Sequence, residues 1–210
     1  TERILGITSP AISTSYFRYP TLDSPAMVIS RAFRAGGAGA AVDAAAANPN
    51  SLAAEDGEPI QRLMAVAQTA VRSSDFAGAR TVIDFVLKHH PSSAAALTFS
   101  GGLFAAVGDR ASMEAAFDRA RGVVRDVESR INTVGYAVLR AGRIDEAISI
   151  FEYNVRAYPQ SANCYDSLAE AFEKKGNREQ AIRNYARAVS LDPTPGMTMY
   201  QALKRLLNEK

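Results

Sequence analysis

The side chains best suited to metal binding or nucleophilic chemistry are two histidines and a single cysteine. His89 and His90 are adjacent, and neighbouring side chains on a helix point about 100° apart, so the pair does not face one metal ion as residues four apart would. We interpret both as residues of a helix end before Pro91, where an imidazole interacts favourably with the negative helix terminus. Cys164 has no histidine near it in the sequence, and although a helix start would acidify its thiol slightly, we interpret it as a small packing residue.

A glycine-rich stretch comprises Gly36, Gly37 and Gly39. A dinucleotide-binding loop needs a preceding strand and a third glycine three residues on, whereas a helix is predicted here and Val42 occupies that third position. We therefore interpret the stretch as a flexible turn. The motifs Gly-x-Ser-x-Gly, Gly-Lys-Ser/Thr and His-Glu-x-x-His do not occur in the chain. The sequence thus predicts a protein that is not an enzyme and has no catalytic, cofactor-binding or metal-binding residues.

The charge is balanced, since 24 basic and 22 acidic residues give a formal net charge of +2 with both signs interspersed. Such a balance argues against a surface that binds nucleic acid. No apolar run approaches the roughly 20 residues of a membrane-spanning helix, so we expect a soluble chain without a transmembrane segment. A lone cysteine slightly favours the cytoplasm over the periplasm, but a sequence that starts with Thr1 leaves localisation open.

An internal period of 34 residues organises most of the chain. An ungapped alignment of residues 128–161 with 162–195 superimposes six identical pairs, which are Ala137/Ala171, Gly142/Gly176, Ala147/Ala181, Ile148/Ile182, Val155/Val189 and Pro159/Pro193. Two periods before Pro159 stands Pro91, and one and two periods before Gly142 stand Gly108 and Ser74. The period defines four units: 60–93, 94–127, 128–161 and 162–195.

Each unit has the pattern of two amphipathic helices joined by a short turn. Apolar residues of the last unit recur at spacings of three and four, in Leu168, Ala169, Phe172, Ala181, Ile182, Tyr185, Ala188 and Val189. Glycines such as Gly142 suit the left-handed conformation that ends a helix. Small residues such as Gly135 allow two helix backbones to approach, and large ones such as Phe151 fill the gaps between them. We therefore expect tightly packed helix pairs.

These units resemble the tetratricopeptide repeat family, whose pattern combines an aromatic residue, a Leu-Gly pair, a second aromatic residue, an alanine and a closing proline. The last unit matches best, in Tyr165, Leu168, Ala169, Phe172, Gly176, Ala181, Tyr185, Ala188 and Pro193. The second unit departs from the pattern at Met113 and Arg125, and Ser74 replaces the turn glycine of the first. The resemblance implies an all-α solenoid of antiparallel helix pairs.

The remaining segments flank the repeats. Residues 1–24 are predicted to be extended or irregular, and residues 25–59 to form a degenerate helical hairpin and a loop. In this hairpin one helix runs from Pro25 to about Ala35 and another from about Ala38 to Ala47. Residues 196–210 are predicted to be a capping helix that covers the last repeat with Met199, Ala202, Leu203 and Leu206 and turns Gln201, Lys204, Arg205 and Glu209 largely to the other side.

The resemblance also implies a concave groove lined by the first helix of each unit. The second unit would supply a small, neutral middle of the groove through Ala95, Thr98, Gly102, Ala105 and Ala106, and the last unit an acidic end. We predict that a protein or peptide partner contacts Gln68, Arg72, Asn132, Tyr136, Arg140, Asn163, Asp166, Glu170 and Glu173. Tyr136 and Arg140 are the expected anchors, because such side chains dominate the binding energy of many interfaces. The alternative interpretation is that these are solvated helix faces.

The sequence therefore favours a non-catalytic scaffold or adaptor that binds a protein or peptide in this groove. The fifth position of each unit holds no lysine, which argues against the clamp for a terminal carboxylate found in chaperone-binding members of the family. Two alternatives stay open. Residues 157–193 resemble repeat tails of bacterial serine hydrolases of the esterase and β-lactamase-related kinds, which would make the chain a C-terminal accessory or regulatory domain of a larger bacterial hydrolase. The other alternative is a self-assembling structural protein, associating through helical faces or residues 1–24 as a homo-oligomer.

Overall fold

The computed structural model describes residues 24–123, 125–194 and 197–208, so the predicted irregular segment 1–24 lies outside the described residues except for Ser24. The described chain is helical throughout, apart from turns and short connections. The helices are α1 (Pro25–Ala46), α2 (Glu58–Arg72), α3 (Phe76–His89), α4 (Ala94–Ala106), α5 (Arg110–Val123), α6 (Val127–Arg140), α7 (Ile144–Ala157), α8 (Ala162–Lys174), α9 (Arg178–Leu191) and α10 (Thr198–Asn208). A 3₁₀ turn, Pro49–Leu52, connects α1 to the loop before α2.

Helices α2 to α9 form four pairs, and the members of each pair pack against each other. The turns inside the pairs lie 34 residues apart and share one geometry, with positive φ at Ser74 (62°), Gly108 (77°), Gly142 (79°) and Gly176 (79°). At each turn the amide three residues after the end of the first helix donates back into that helix, as from Asp75 N to Ala70 O (2.8 Å) and from Asn177 N to Phe172 O (2.9 Å). The all-α solenoid that the sequence predicted is confirmed. Ser74 occupies the position of the turn glycine, and its positive φ is a strained backbone conformation for a residue with a Cβ atom.

Close contact inside the second and third pairs depends on a glycine that faces an aromatic ring. A Cβ atom added at Gly101 would lie 2.2 Å from Cε1 of Phe117, and one added at Gly135 would lie 2.4 Å from Cε1 of Phe151. Both rings are fully buried. In the first and last units the same two positions hold Ala67 with Ile83 and Ala169 with Tyr185, and each pair lies in a common buried cluster. The predicted alternation of small and large residues is thus the packing rule of the pairs.

The N-terminal helix α1 is kinked where the sequence predicts a turn between two helices. Gly36 (φ −145°) and Gly37 (φ 74°) have non-helical torsion angles, and the helix continues beyond them to Ala46. Ser24 caps its start by accepting a hydrogen bond from Met27 N at 3.3 Å. Its buried face, which includes Ile29 and Ala41, joins the core of the first repeat. The kinked helix therefore covers the N-terminal end of the solenoid.

The last helix, α10, packs on α9 and has the position predicted for the capping helix. Met199 and Leu206 are buried in the cluster of the fourth repeat. Its outer surface differs from the polar face that the sequence led us to expect, because Tyr200 is 38% exposed and Leu207 61% exposed. Within the ranges that the structure describes, none of the helices has the length and apolar character needed to cross a membrane.

Candidate functional site

The predicted partner-binding residues lie on three first helices. Gln68 and Arg72 are exposed on α2, where the Arg72 guanidinium donates to Thr69 Oγ1 at 3.0 Å. The other seven residues lie on α6 and α8: Asn132, Tyr136, Arg140, Asn163, Asp166, Glu170 and Glu173. Helix α4 lies between these two groups, so the exposure of its side chains decides whether the groups belong to one continuous groove.

Helix α4 does not supply the open groove floor that the sequence predicted for the second unit. Thr98, Gly102, Ala105 and Ala106 are all buried there, and only Ala95 of the five predicted positions is exposed. A Cβ atom at Gly102 would lie 2.5 Å from Cγ1 of Val134, so α4 and α6 are in direct contact. Because the side chains are so small, the two first helices have closed together instead of leaving a groove. The prediction of a small, neutral groove in this unit was wrong.

The contact between α6 and α8 brings part of the predicted set together. The Tyr136 hydroxyl donates to Glu170 Oε2 at 2.8 Å, and the Tyr136 ring packs edge-on against Phe151 with centroids 5.2 Å apart. Tyr136 is therefore held in place by its own repeat and by the next one. One helical turn earlier on the same two helices stand Asn132 and Asp166. Oδ1 of Asn132 is buried and has no hydrogen-bond partner within the described part of the chain.

Beyond α8 the spacing between first helices widens into a cleft of about 610 Å³. Its walls are the groove-facing side of α8 and one side of α10, and it is lined by Asp166, Glu170, Glu173, Lys174, Tyr185, Thr198, Gln201, Ala202 and Arg205. Tyr185 reaches it from α9. Sequence reasoning assigned Gln201 and Arg205 to the outward side of the capping helix, whereas the structure places them at the cleft. Their contribution follows from the angle at which α10 packs, which the spacing of apolar residues does not define.

The three carboxylates of the cleft have different surroundings. Glu173 accepts hydrogen bonds from the Tyr185 hydroxyl at 3.1 Å and from the Arg205 guanidinium at 2.5 Å, so its charge is compensated. Glu170 accepts from Tyr136. Burial, followed by the nearby charge of Glu170, raises the pKa of Asp166 from its ordinary value to about 6. Asp166 is therefore a carboxylate whose charged form the folded structure disfavours.

The tyrosines beside these carboxylates act as neutral hydrogen-bond donors. Burial is the first cause that raises the pKa of Tyr136 and of Tyr185, and the negative charges of Glu170 and Glu173 raise it further. Each hydroxyl therefore keeps its proton at neutral pH and donates a hydrogen bond to a carboxylate, from Tyr136 to Glu170 and from Tyr185 to Glu173.

The residues first considered for chemistry lie apart from this cleft. Cys164 is fully buried, and burial raises the pKa of its thiol to about 12, so the slight acidification expected at a helix start was wrong. His89 is the last residue of α3 and its ring lies 4.6 Å from that of Phe85. His90 Nε2 donates a hydrogen bond of 2.7 Å to Leu52 O. This bond connects the end of α3 to the 3₁₀ turn.

Comparisons with known proteins match parts of the chain. No protein-family model matches it. Cellulose synthase operon protein C of Escherichia coli is 32% identical over 68 residues, which cover 32% of this chain and 6% of that protein. Tetratricopeptide repeat protein 37 of Xenopus laevis is 28% identical over 75 residues, which cover 35% of this chain and 5% of that protein. The chain thus spans a small part of the length of these relatives.

Among solved structures, a crystal structure of MamA protein is 18% identical, with a TM-score of 0.44 over 80% of this chain and 90% of that chain. The helix pairs with their 34-residue period, together with curated relatives of which one is named for the repeat, confirm the resemblance to tetratricopeptide repeat proteins. The resemblance of residues 157–193 to hydrolase tails stays a prediction.

Proposed function

We propose that this tetratricopeptide repeat chain is a non-catalytic scaffold that binds a peptide or a partner protein on the surface formed by α6, α8 and α10. The observation that carries the proposal is the cleft beside α8, because its walls hold polar and charged side chains and leave about 610 Å³ unfilled. Concave surfaces of this kind are where proteins most often bind ligands.

The predicted anchors take different parts in this proposal. Arg140 is exposed at the end of α6, so it can contact a partner without first breaking a contact of its own fold. Tyr136 is half-buried and hydrogen-bonded to Glu170, so it supplies a rigid edge to the surface. Gln68 and Arg72 lie on the far side of the closed α4–α6 contact, and we place them outside the binding surface.

A crosslinking and pull-down comparison tests the proposal. We expect the tagged chain to capture a partner from its source cells, and Arg140→Ala to reduce the captured amount severalfold, because arginine contacts at interfaces are frequently worth more than about 1 kcal/mol. Arg183→Ala is the matched control, since Arg183 is 66% exposed on α9 and, among the residues that the structure describes, pairs with Glu179 of its own helix. Equal losses from both variants, or capture of no partner, would contradict the proposal.

Self-association is the second candidate function, and the exposed Tyr200 and Leu207 on α10 favour it. Both side chains lie on the same face of the helix, seven residues apart. Light scattering of the chain and of the double variant Tyr200→Ser, Leu207→Ser tests this candidate. A larger particle for the original chain than for the variant is the expected result, and monomers in both samples would exclude it.

A further inference from the structure

From the same surface we infer that the partner segment is cationic and that one of its lysine or arginine side chains enters the cleft between α8 and α10. The inference rests on the proposed function and specifies the chemistry of the partner. It stands on the shape of the cleft and on the charges around it.

The geometry provides room for a side chain. Where α4 meets α6, a Cβ atom at Gly102 would already clash with Val134, so nothing enters there. Between α8 and α10 the helices stand apart, and the opening of about 610 Å³ is crossed by the ion pair of Arg205 with Glu173. A long, flexible side chain fits such an opening better than a rigid one, because its stem lies along the wall while its charged end reaches the carboxylates.

The charged residues that line the cleft favour a positively charged end on the side chain that enters it. The cleft holds three carboxylates, Asp166, Glu170 and Glu173, against two basic side chains, Lys174 and Arg205. Glu173 is compensated by Arg205, and Glu170 accepts a neutral hydroxyl, whereas no hydrogen bond or ion pair joins Asp166 to the described residues. A guanidinium or ammonium group placed beside Asp166 and Glu170 would remove the repulsion between them. An anionic segment would add to it.

Fluorescence anisotropy with synthetic probes tests the inference. The probes are a short labelled peptide in which lysine alternates with serine, and two matched peptides with glutamate or glutamine in place of lysine. We expect the lysine peptide to bind, and the double variant Asp166→Asn, Glu170→Gln to lower its affinity about tenfold, since charge-assisted hydrogen bonds are lost. Asp84→Asn is the control, because Asp84 is 62% exposed on α3. The affinity of this variant for the lysine peptide should equal that of the original chain.

The results separate this inference from the proposed function. Binding of the glutamine peptide as tightly as the lysine peptide, or an equal affinity of the double variant for the lysine peptide, would overturn the inference while leaving peptide binding intact. Binding of none of the three peptides, together with the absence of any captured partner, would overturn both. Circular dichroism of each variant before the titration confirms that it is folded, so a loss of affinity reports on the cleft.

Discussion

At the scale of the residue, burial of the Asp166 side chain opposes ionisation of its carboxyl group. Its carboxylate is half-buried beside Glu170, and the pKa is raised to about 6. The charged and titratable groups around it are Glu170, Glu173, Lys174, Tyr136, Tyr185 and Arg205. A cation from a partner would lower that pKa by stabilising the charged form. Destabilising side chains of this kind are common at functional sites, where they are retained for binding.

The pH dependence of stability follows from the sign of this shift. The unfolded pKa is about 3.9, so between about pH 4 and pH 6 the folded chain holds the proton more tightly, and the free energy of unfolding falls as pH rises through this window. We expect Asp166→Asn to be more stable than the original chain above pH 6 by about 1 kcal/mol after allowance for screening by water, with the advantage gone near pH 4.

Thermal unfolding of both proteins across this pH range measures the difference. Asp84→Asn serves as the control for a generic loss of charge, because Asp84 is exposed and far along the solenoid from the cleft. An advantage of Asp166→Asn that is the same at pH 4 and pH 7 would show that burial of the charge is not its cause.

Ser74 provides a second prediction at the scale of one residue. Its φ of 62° matches the left-handed conformation that three glycines adopt at the equivalent turns. We expect Ser74→Gly to raise the free energy of unfolding by about 1 kcal/mol, since the conformational strain of an L-residue in this region is about 1–2 kcal/mol. Urea unfolding measures the change. Ser73→Gly is the matched control and should destabilise the chain, because Ser73 has φ −89° and its hydroxyl donates to backbone carbonyls of α2.

At the scale of the element, each helix pair is held by a small residue facing a large one. Gly135 leaves no space for a Cβ atom against Phe151, because both lie in the contact between α6 and α7. Gly122 is also helical, but a Cβ atom there would meet no atom within 4 Å. The same substitution therefore has opposite consequences at two helical glycines.

We expect Gly135→Ala to lower the free energy of unfolding by about 1–3 kcal/mol through overpacking. Gly122→Ala should raise it by up to about 1 kcal/mol, since alanine is the better helix former. Denaturant unfolding of both variants provides the comparison. Similar values for the two would indicate that the pair can separate without cost, contrary to the packing described.

At the scale of the whole molecule, the described buried residues of the solenoid do not form one central hydrophobic core. Buried residues of the described chain form successive clusters, and Met199 and Leu206 of α10 belong to the last of these. Stability in such an arrangement is the sum of units and of contacts between neighbours. A perturbation at one end should consequently fade along the chain.

Leu206→Ala tests this property, because Leu206 is 4% exposed in the contact of α10 with the fourth repeat. We expect a loss of about 2–5 kcal/mol for that contact. Hydrogen exchange should accelerate in α9 and α10 and remain close to the original in α2 and α3. An equal acceleration in all helices would show that the chain unfolds as one cooperative unit.

The sequence by itself determined the period, the helix pairs and the residues at their turns. These features are local or repeat at a fixed spacing, so apolar periodicity and residues such as Gly142 and Gly176 report them directly. Local signals also predicted the break at Gly36 and Gly37, as a turn between two helices where the structure has a kink within one, and a capping helix after the last repeat.

Only the tertiary structure decided how the first helices of successive units stand to one another. Gly102 allows α4 to meet α6, whereas α8 and α10 stand apart around Tyr185 and Arg205. That spacing depends on side-chain volumes summed over two or three helices and on the angle at which each pair stacks, which no pattern within one helix contains. For this reason the sequence predicted an acidic end of the groove at Asp166, Glu170 and Glu173, and only the structure determined that these residues line a cleft.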